Sequence, residues 1–213
     1  MTTETVEVSE TFTSIQGEST YAGLPCFFIR LAGCNLSCSY CDTPQARVPG
    51  KPVQWTQLVR ECIESDTAIA EITGGEPLLQ PLFPDLASSL RERTRRPVLV
   101  ETNGSRDISI IPDRVTAIMD IKTPGSGMSQ AMDMANIERL RPHDEVKFVL
   151  LDRADYEWAR QITRTQRLWD LCRAVLFSPA HGRLDPATLA GWIVDDRLPV
   201  RLNLQLHKIL GVR

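Results

Sequence analysis

Long apolar runs are missing from this sequence, as are a basic surplus, paired histidines and a second cysteine cluster. Each absence narrows what the chain does. No stretch approaches the roughly 18 consecutive apolar residues that a membrane span needs. Yet 42% of the 213 residues are hydrophobic and 24% charged, the balance of a soluble globular protein. The formal net charge of -3 argues against a protein that coats nucleic acid, which carries a large positive surplus. The single basic run, RERTRR at Arg91–Arg96, follows a helical stretch and reads as a solvated helix end, so neither nucleic acid nor membrane is expected as a partner. The opening MTTETVEVSE is acidic and polar and lacks the basic start and apolar core of a signal or transit peptide, so cytoplasmic residence is expected. With no repeat, low-complexity tract or linker, one domain over residues 1–213 is expected.

What is present is an alternation of short apolar runs and helical periods. CFFIRLA, AIAEIT, PVLVET, VTAIMDI, EVKFVLL, AVLFS and VRLNLQL read as strands, most of them continuously apolar as strands covered on both faces tend to be. Amphipathic helices lie between several of them: WTQLVRECIES, PLFPDLASSLRERTRR, ADYEWARQITRTQRLWDLC, and DPATLAGWIVDD with Asp185 as N-cap and Pro186 at N1. This order predicts an α/β fold of parallel strands and crossover helices. The length is short of the roughly 250 residues of a full eightfold barrel, so a partial or open (β/α) barrel is expected, with its active site at the strand C-terminal ends. The unusual residues fall there: a cysteine cluster after CFFIRLA, GGEP after AIAEIT, NG after PVLVET and KTPGSG after VTAIMDI.

Six cysteines without a secretory context do not read as a disulfide framework. Cys26, Cys62 and Cys172 sit in strand-like or helical apolar settings and read as packing. Cys34, Cys38 and Cys41 form CxxxCxxC, one thiolate short of a closed tetrahedral site. Two readings follow from spacing alone: a zinc site with a distant fourth ligand, or an iron-sulfur cubane with one iron free. Zinc sites usually come as two knuckles, and His143, His181 and His207 form no local pair.

CxxxCxxC with Tyr40 before the last cysteine, followed one strand later by Gly74, Gly75, Glu76 and Pro77, resembles the radical S-adenosylmethionine superfamily. The resemblance implies a [4Fe-4S] cluster on Cys34, Cys38 and Cys41, with the amino and carboxylate groups of S-adenosylmethionine on the open iron. It also implies that Gly74 and Gly75 let the backbone approach the methionyl part while Glu76 accepts from its ammonium.

Three further stretches narrow this. SETFTSIQGESTYAGLPCFFIRLAGCN, the CDT at Cys41–Thr43 and the carboxy-terminal LQLHKILG resemble the 7-carboxy-7-deazaguanine synthase family over essentially the whole chain. That family converts 6-carboxy-5,6,7,8-tetrahydropterin to 7-carboxy-7-deazaguanine, a radical ring contraction with loss of ammonia on the route to 7-deazapurines such as queuosine in tRNA. The resemblance implies that Ile15, Gln16, Gly17, Glu18, Arg30 and Thr73 face the substrate and that Thr43 supplies a hydroxyl to Mg2+. A flat donor and acceptor edge suits amide and carboxylate groups, and a substrate carboxylate suits a guanidinium. Asp120, Ile121 and Lys122 match a cofactor-side segment that the family usually writes Ser-Pro-Lys. Glu101, Thr102, Asn103 and Gly104 form a polar strand end suited to ribose or substrate. Some members end in proline where this chain has Arg213, and His207 and Lys208 match family positions without an assigned role. A homodimer and an electron donor such as a flavodoxin or ferredoxin are also implied. Two rival readings are a short radical activase acting on a glycine of a partner protein, and a non-catalytic iron-sulfur or zinc module.

Overall fold

The computed structural model describes residues 4–213, so the first three residues of the polar amino-terminal stretch lie outside the described residues. The chain begins with β1 (Thr5–Ile15), which hairpins into β2 (Pro25–Leu31), then passes β3 (Lys51–Gln54) and α1 (Trp55–Glu64). There follow β4 (Ile69–Gly74), α2 (Phe83–Thr94), β5 (Val98–Thr102), β6 (Val115–Asp120) and β7 (Glu145–Leu150). The remainder is α3 (Arg153–Thr165), α4 (Leu168–Leu171), β8 (Ala174–Pro179), α5 (Pro186–Asp195), β9 (Arg201–Leu202) and α6 (Leu206–Leu210). All nine strands join one sheet in the order β3-β1-β2-β4-β5-β6-β7-β8-β9. The seven from β2 through β9 run parallel, whereas β1 is antiparallel to both β2 and β3. The fold is a partial (β/α) barrel whose free edges are β3 and β9.

All seven expected strands occur, the last reduced to Arg201–Leu202 because LHKIL turns into α6. β1 and β3 are additional. β1 has no continuous apolar run: its TVEVSETFTSI buries only Val6 and Val8, the one-sided alternation of an outer antiparallel strand. The long helix expected over 154–172 is two, α3 and α4, separated at Arg167, which adopts a left-handed backbone at φ 49°. At α5 the Asp185 carboxylate accepts from the Thr188 amide at 2.9 Å, and Pro186 occupies the first turn, as the sequence implied.

Period-two alternation within the parallel strands divides the interior. On the outer face, Phe27, Ile29, Leu31, Ala70, Ile72, Val98, Val100, Ala117, Met119, Val146, Phe148, Val175 and Phe177 join Leu58, Val59 and Cys62 of α1, Leu86 and Leu90 of α2 and Tyr156 of α3 in one core. Phe148, Phe177 and Tyr156 meet edge to face at 5.5 and 5.8 Å, contacts that add to the roughly 1.5–3 kcal/mol each ring contributes by burial. On the inner face, Cys26, Phe28, Ile69, Leu99 and Ile118 form a much smaller apolar floor with Phe12 and Tyr21. Beyond that floor, toward the strand C-termini, the same inward positions turn polar: Arg30, Glu71, Thr73, Glu101, Asp120 and Lys147.

The open side of the barrel is filled by the β1–β2 turn rather than by a strand pair. Thr20 donates its hydroxyl to the buried Glu145 of β7, and the Ser19 amide donates to Asn203 Oδ1 at 2.9 Å. The Leu206 amide donates to the Gly17 carbonyl at 2.9 Å.

Candidate active site inside the open barrel

The polar inner layer and the loops above it enclose a cavity of about 530 Å³. Its lining brings together Ile15, Gln16, Gly17, Glu18, Arg30, Cys34, Cys38, Cys41, Thr43, Thr73, Gly74, Gly75, Asp120 and Lys122, residues drawn from five separated stretches of the sequence.

The cysteine loop occupies the upper wall. Cys34, Cys38 and Cys41 are free thiols there, whereas Cys26, Cys62 and Cys172 are buried. The Leu36 amide lies 3.5 Å and Asn103 Nδ2 3.9 Å from Cys34 Sγ, both donors toward sulfur. Three thiols beside polar N–H donors, opening on a cavity, suit a sulfur-ligated iron cluster, whose potential is set partly by hydrogen bonds to sulfur. Beside them Thr43 Oγ1 donates to Asp42 Oδ1 at 3.1 Å, and Lys208 holds the other Asp42 oxygen at 2.5 Å. Lys208, burial notwithstanding, holds the Asp42 carboxyl below its ordinary range.

The GGEP turn packs directly under this loop. A Cβ on Gly75 would lie 2.0 Å from the Gly33 carbonyl oxygen, and one on Gly74, at φ +138°, 2.0 Å from that of Leu31. The glycines therefore first allow two segments of the protein's own backbone to touch, and only then border the cavity. Glu76 does not line it. Its fully buried carboxylate accepts from the Leu78 amide at 3.0 Å, Thr102 Oγ1 at 2.8 Å and the Asn103 amide at 2.6 Å, tying the ends of β4 and β5 together. Burial raises its pKa against those bonds. Ile121 likewise turns into the outer core and touches the site only through neighbours, its amide donating to the Lys147 carbonyl at 2.8 Å.

The lower layer is a charge network. Lys147 Nζ donates to Glu18 Oε2 at 2.9 Å and to Glu101, and lies 3.9 Å from Asp120. Lys122 pairs with Asp120 at 2.6 Å and lies over the Tyr40 ring at 5.8 Å. Burial works against both ammonium groups, yet these carboxylates hold their pKa values above the ordinary lysine range. Burial also pushes Glu18 upward, but Lys147 and a 2.9 Å bond from Gln205 leave it below its usual value, an ionised acceptor. Arg30 on the rim pairs with Glu10 at 2.9 Å and lies over the Phe12 ring. Arg213 also borders the cavity and pairs with Glu10. His207 lies against Gly17, and burial lowers its pKa. Lys147, Glu71 and Gln205 escaped the sequence reading. The signal for the first two is a charge inside an otherwise apolar run, Glu71 within AIAEIT and Lys147 before FVLL, at the inward parity shared with Asp120.

A cluster-type cysteine loop at the C-terminal mouth of an open β/α barrel defines the class: the profile of the Radical SAM superfamily matches residues 28–124. A [4Fe-4S] cluster and S-adenosylmethionine are the cofactors of that class. The chain belongs to the 7-carboxy-7-deazaguanine synthase family. A protein of that name from Chlorobaculum tepidum is 42% identical over 99% of this chain and 96% of its own length. Another, from Koribacter versatilis, is 40% identical over 96% of each. Among solved structures, QueE from Escherichia coli superposes with a TM-score of 0.77 at 22% identity, covering 95% of both chains. SuiB from Streptococcus suis gives 0.59 at 14% identity over 81% of this chain and 46% of that one. At these identities the two structures speak to the fold alone.

Proposed function

We propose that this chain converts 6-carboxy-5,6,7,8-tetrahydropterin to 7-carboxy-7-deazaguanine with loss of ammonia, acting as one catalytic domain in 7-deazapurine synthesis. One observation carries the reading: three free thiols and the Glu18–Lys147 pair face each other across a single cavity of about 530 Å³, within the size range of small-molecule sites. When bound, the cluster and S-adenosylmethionine supply one-electron cleavage to a carbon radical that removes hydrogen from the nearest C–H bond.

The chain's own residues hold the substrate and exclude competitors. Cys34, Cys38 and Cys41 would ligate the cluster, and Gly74, Gly75, Asp120 and Lys122 border the cofactor side. Gln16 and Glu18 offer amide and carboxylate groups to the flat pterin edge, while Arg30 and Lys147 offer cations to its carboxylate. The β1–β2 turn, by filling the open flank, keeps water and larger molecules from the reacting carbon. The Thr43 hydroxyl beside Asp42 is an oxygen-donor pair that fits Mg2+, an ion that keeps waters or takes substrate oxygens when protein ligands are few. Cytoplasmic residence, a homodimer and a flavodoxin or ferredoxin donor belong to the same reading. The homodimer and the donor rest on the resemblance; no helix among the described residues is long and apolar enough to cross a membrane.

The test is an anaerobic assay of reconstituted protein with reductant, S-adenosylmethionine, Mg2+ and 6-carboxytetrahydropterin, followed by mass spectrometry. We expect 7-carboxy-7-deazaguanine, abolished in Cys38→Ala with the fold retained. Release of 5'-deoxyadenosine without that product would overturn the substrate and favour a protein target.

A further inference from the structure

Among the described residues, Glu71 is the one cavity-lining carboxylate that no cation pairs with. It is 3% exposed, sits inward on β4 between Phe28 of β2 and Leu99 of β5, and lines the cavity. The Lys147 ammonium makes its hydrogen bonds to Glu18 and Glu101 instead. The hydrogen-bond partner of Glu71 is neutral: Gln16 Nε2 donates to its Oε2. The Gln16 amide cannot turn around to offer oxygen instead, because the Glu18 amide donates to Gln16 Oε1 at 3.0 Å. Oε1 of Glu71 has no hydrogen-bond partner among the described residues.

A buried carboxylate with one neutral donor and two like charges nearby takes up a proton rather than remain ionised. The groups facing it are Glu101 from β5, Glu18 and Gln16 from the β1–β2 turn, Lys147 from β7 and the Cys26 thiol from β2. Burial, then Glu101, raises its pKa well above the ordinary carboxyl value, and Lys147 only partly offsets this. With Oε2 accepting from Gln16, the proton falls on Oε1, the oxygen left to the cavity.

We propose that Glu71 is a substrate-recognition residue that acts as a neutral acid, donating a hydrogen bond from Oε1 to a carbonyl or ring-nitrogen acceptor on the planar heterocycle. Ionised Glu18 beside it supplies the matching acceptor. Together they read a lactam-like edge on which an acceptor adjoins N–H donors, the edge of a 2-amino-4-oxopyrimidine ring. The idea rests on the proposed function, since it names how that substrate class is recognised.

The test uses the cluster-reconstituted full chain and 6-carboxypterin, a fluorescent probe carrying the same edge, titrated at pH 7 under anaerobic conditions. Glu71→Gln keeps a donor and an acceptor and should bind within about threefold of the parent chain. Glu71→Leu removes both and should bind at least tenfold more weakly, the size of one lost buried hydrogen bond. Infrared difference spectra should show a protonated-carboxyl band that shifts when the probe binds and is absent from Glu71→Gln, a signature that a merely structural residue would not give. Unchanged affinity in Glu71→Leu, binding by Glu71→Gln as weak as by Glu71→Leu, or a carboxyl band insensitive to the probe would each overturn the inference. Failure of the parent chain to bind 6-carboxypterin at all would overturn the proposed function as well. If Glu71→Leu does not fold, Glu71→Gln and the infrared band decide.

Discussion

The two faces of the same seven strands obey opposite rules. Phe148 and Lys147 are neighbours on β7, yet one points into a continuous apolar core beneath the helices and the other into a cavity ringed by carboxylates. The outer face is stabilised by area removed from water, which tolerates small adjustments. The inner face is stabilised only if each charge meets a partner, so its side chains answer to one another rather than to volume. The difference teaches where stability and chemistry separate in this barrel.

Substitutions on the two faces should separate the same way. Phe148→Ala should have the largest effect on stability, about 3–5 kcal/mol in denaturant unfolding, while the folded fraction still binds 6-carboxypterin with parental affinity. Lys147→Met should reverse the pattern. Stranding Glu18 and Glu101 should weaken binding by roughly 30- to 1,000-fold in the same titration, the effect of removing one partner of a buried charge pair. A Phe148→Ala chain that folds but cannot bind would erase the distinction.

A smaller effect sharpens it through pH. The folded-state pKa of Glu71 is raised above its unfolded value near 4.5, so the folded state holds a proton that the unfolded state releases. Stability associated with Glu71 is present below about pH 4.5 and is lost as pH rises toward the folded value. The stability of Glu71→Gln relative to the parent should therefore increase with pH over that window, by at most about 1.4 kcal/mol per pH unit, measurable by unfolding at a series of pH values. The smallest effect belongs far from both faces: Asp185→Ala should remove the α5 cap at a cost of about 1 kcal/mol and leave product formation unchanged.

The outer face was legible in the sequence because its requirement is simple: apolar runs bounded by turns place β2 and β4 through β8. β1 was not, since a strand with one solvated face shows scattered polar residues. The thiols and GGEP were legible because their spacing is local. Glu71 and Lys147 were not, because a charge in an apolar strand has meaning only when its parity is compared across strands far apart in sequence, and Gln205 was not, because a polar residue before a short terminal helix has no pattern of its own. Glu76 had the right neighbourhood and a different employment: the residue expected to meet a ligand instead fastens two strand ends.

The turn that fills the barrel's flank also orders events in time. Its Glu18 waits for Lys147, 129 residues onward, and for Gln205, 187 residues onward, while Cys34, Cys38 and Cys41 lie within the first fifth of the chain. Such distant pairings form late, after local helices and neighbouring strands. During synthesis the three-thiol loop thus emerges long before the wall that would confine a substrate. A nascent chain therefore presents three thiols to its surroundings well before Asp120, Lys122 and Lys147 exist to enclose them.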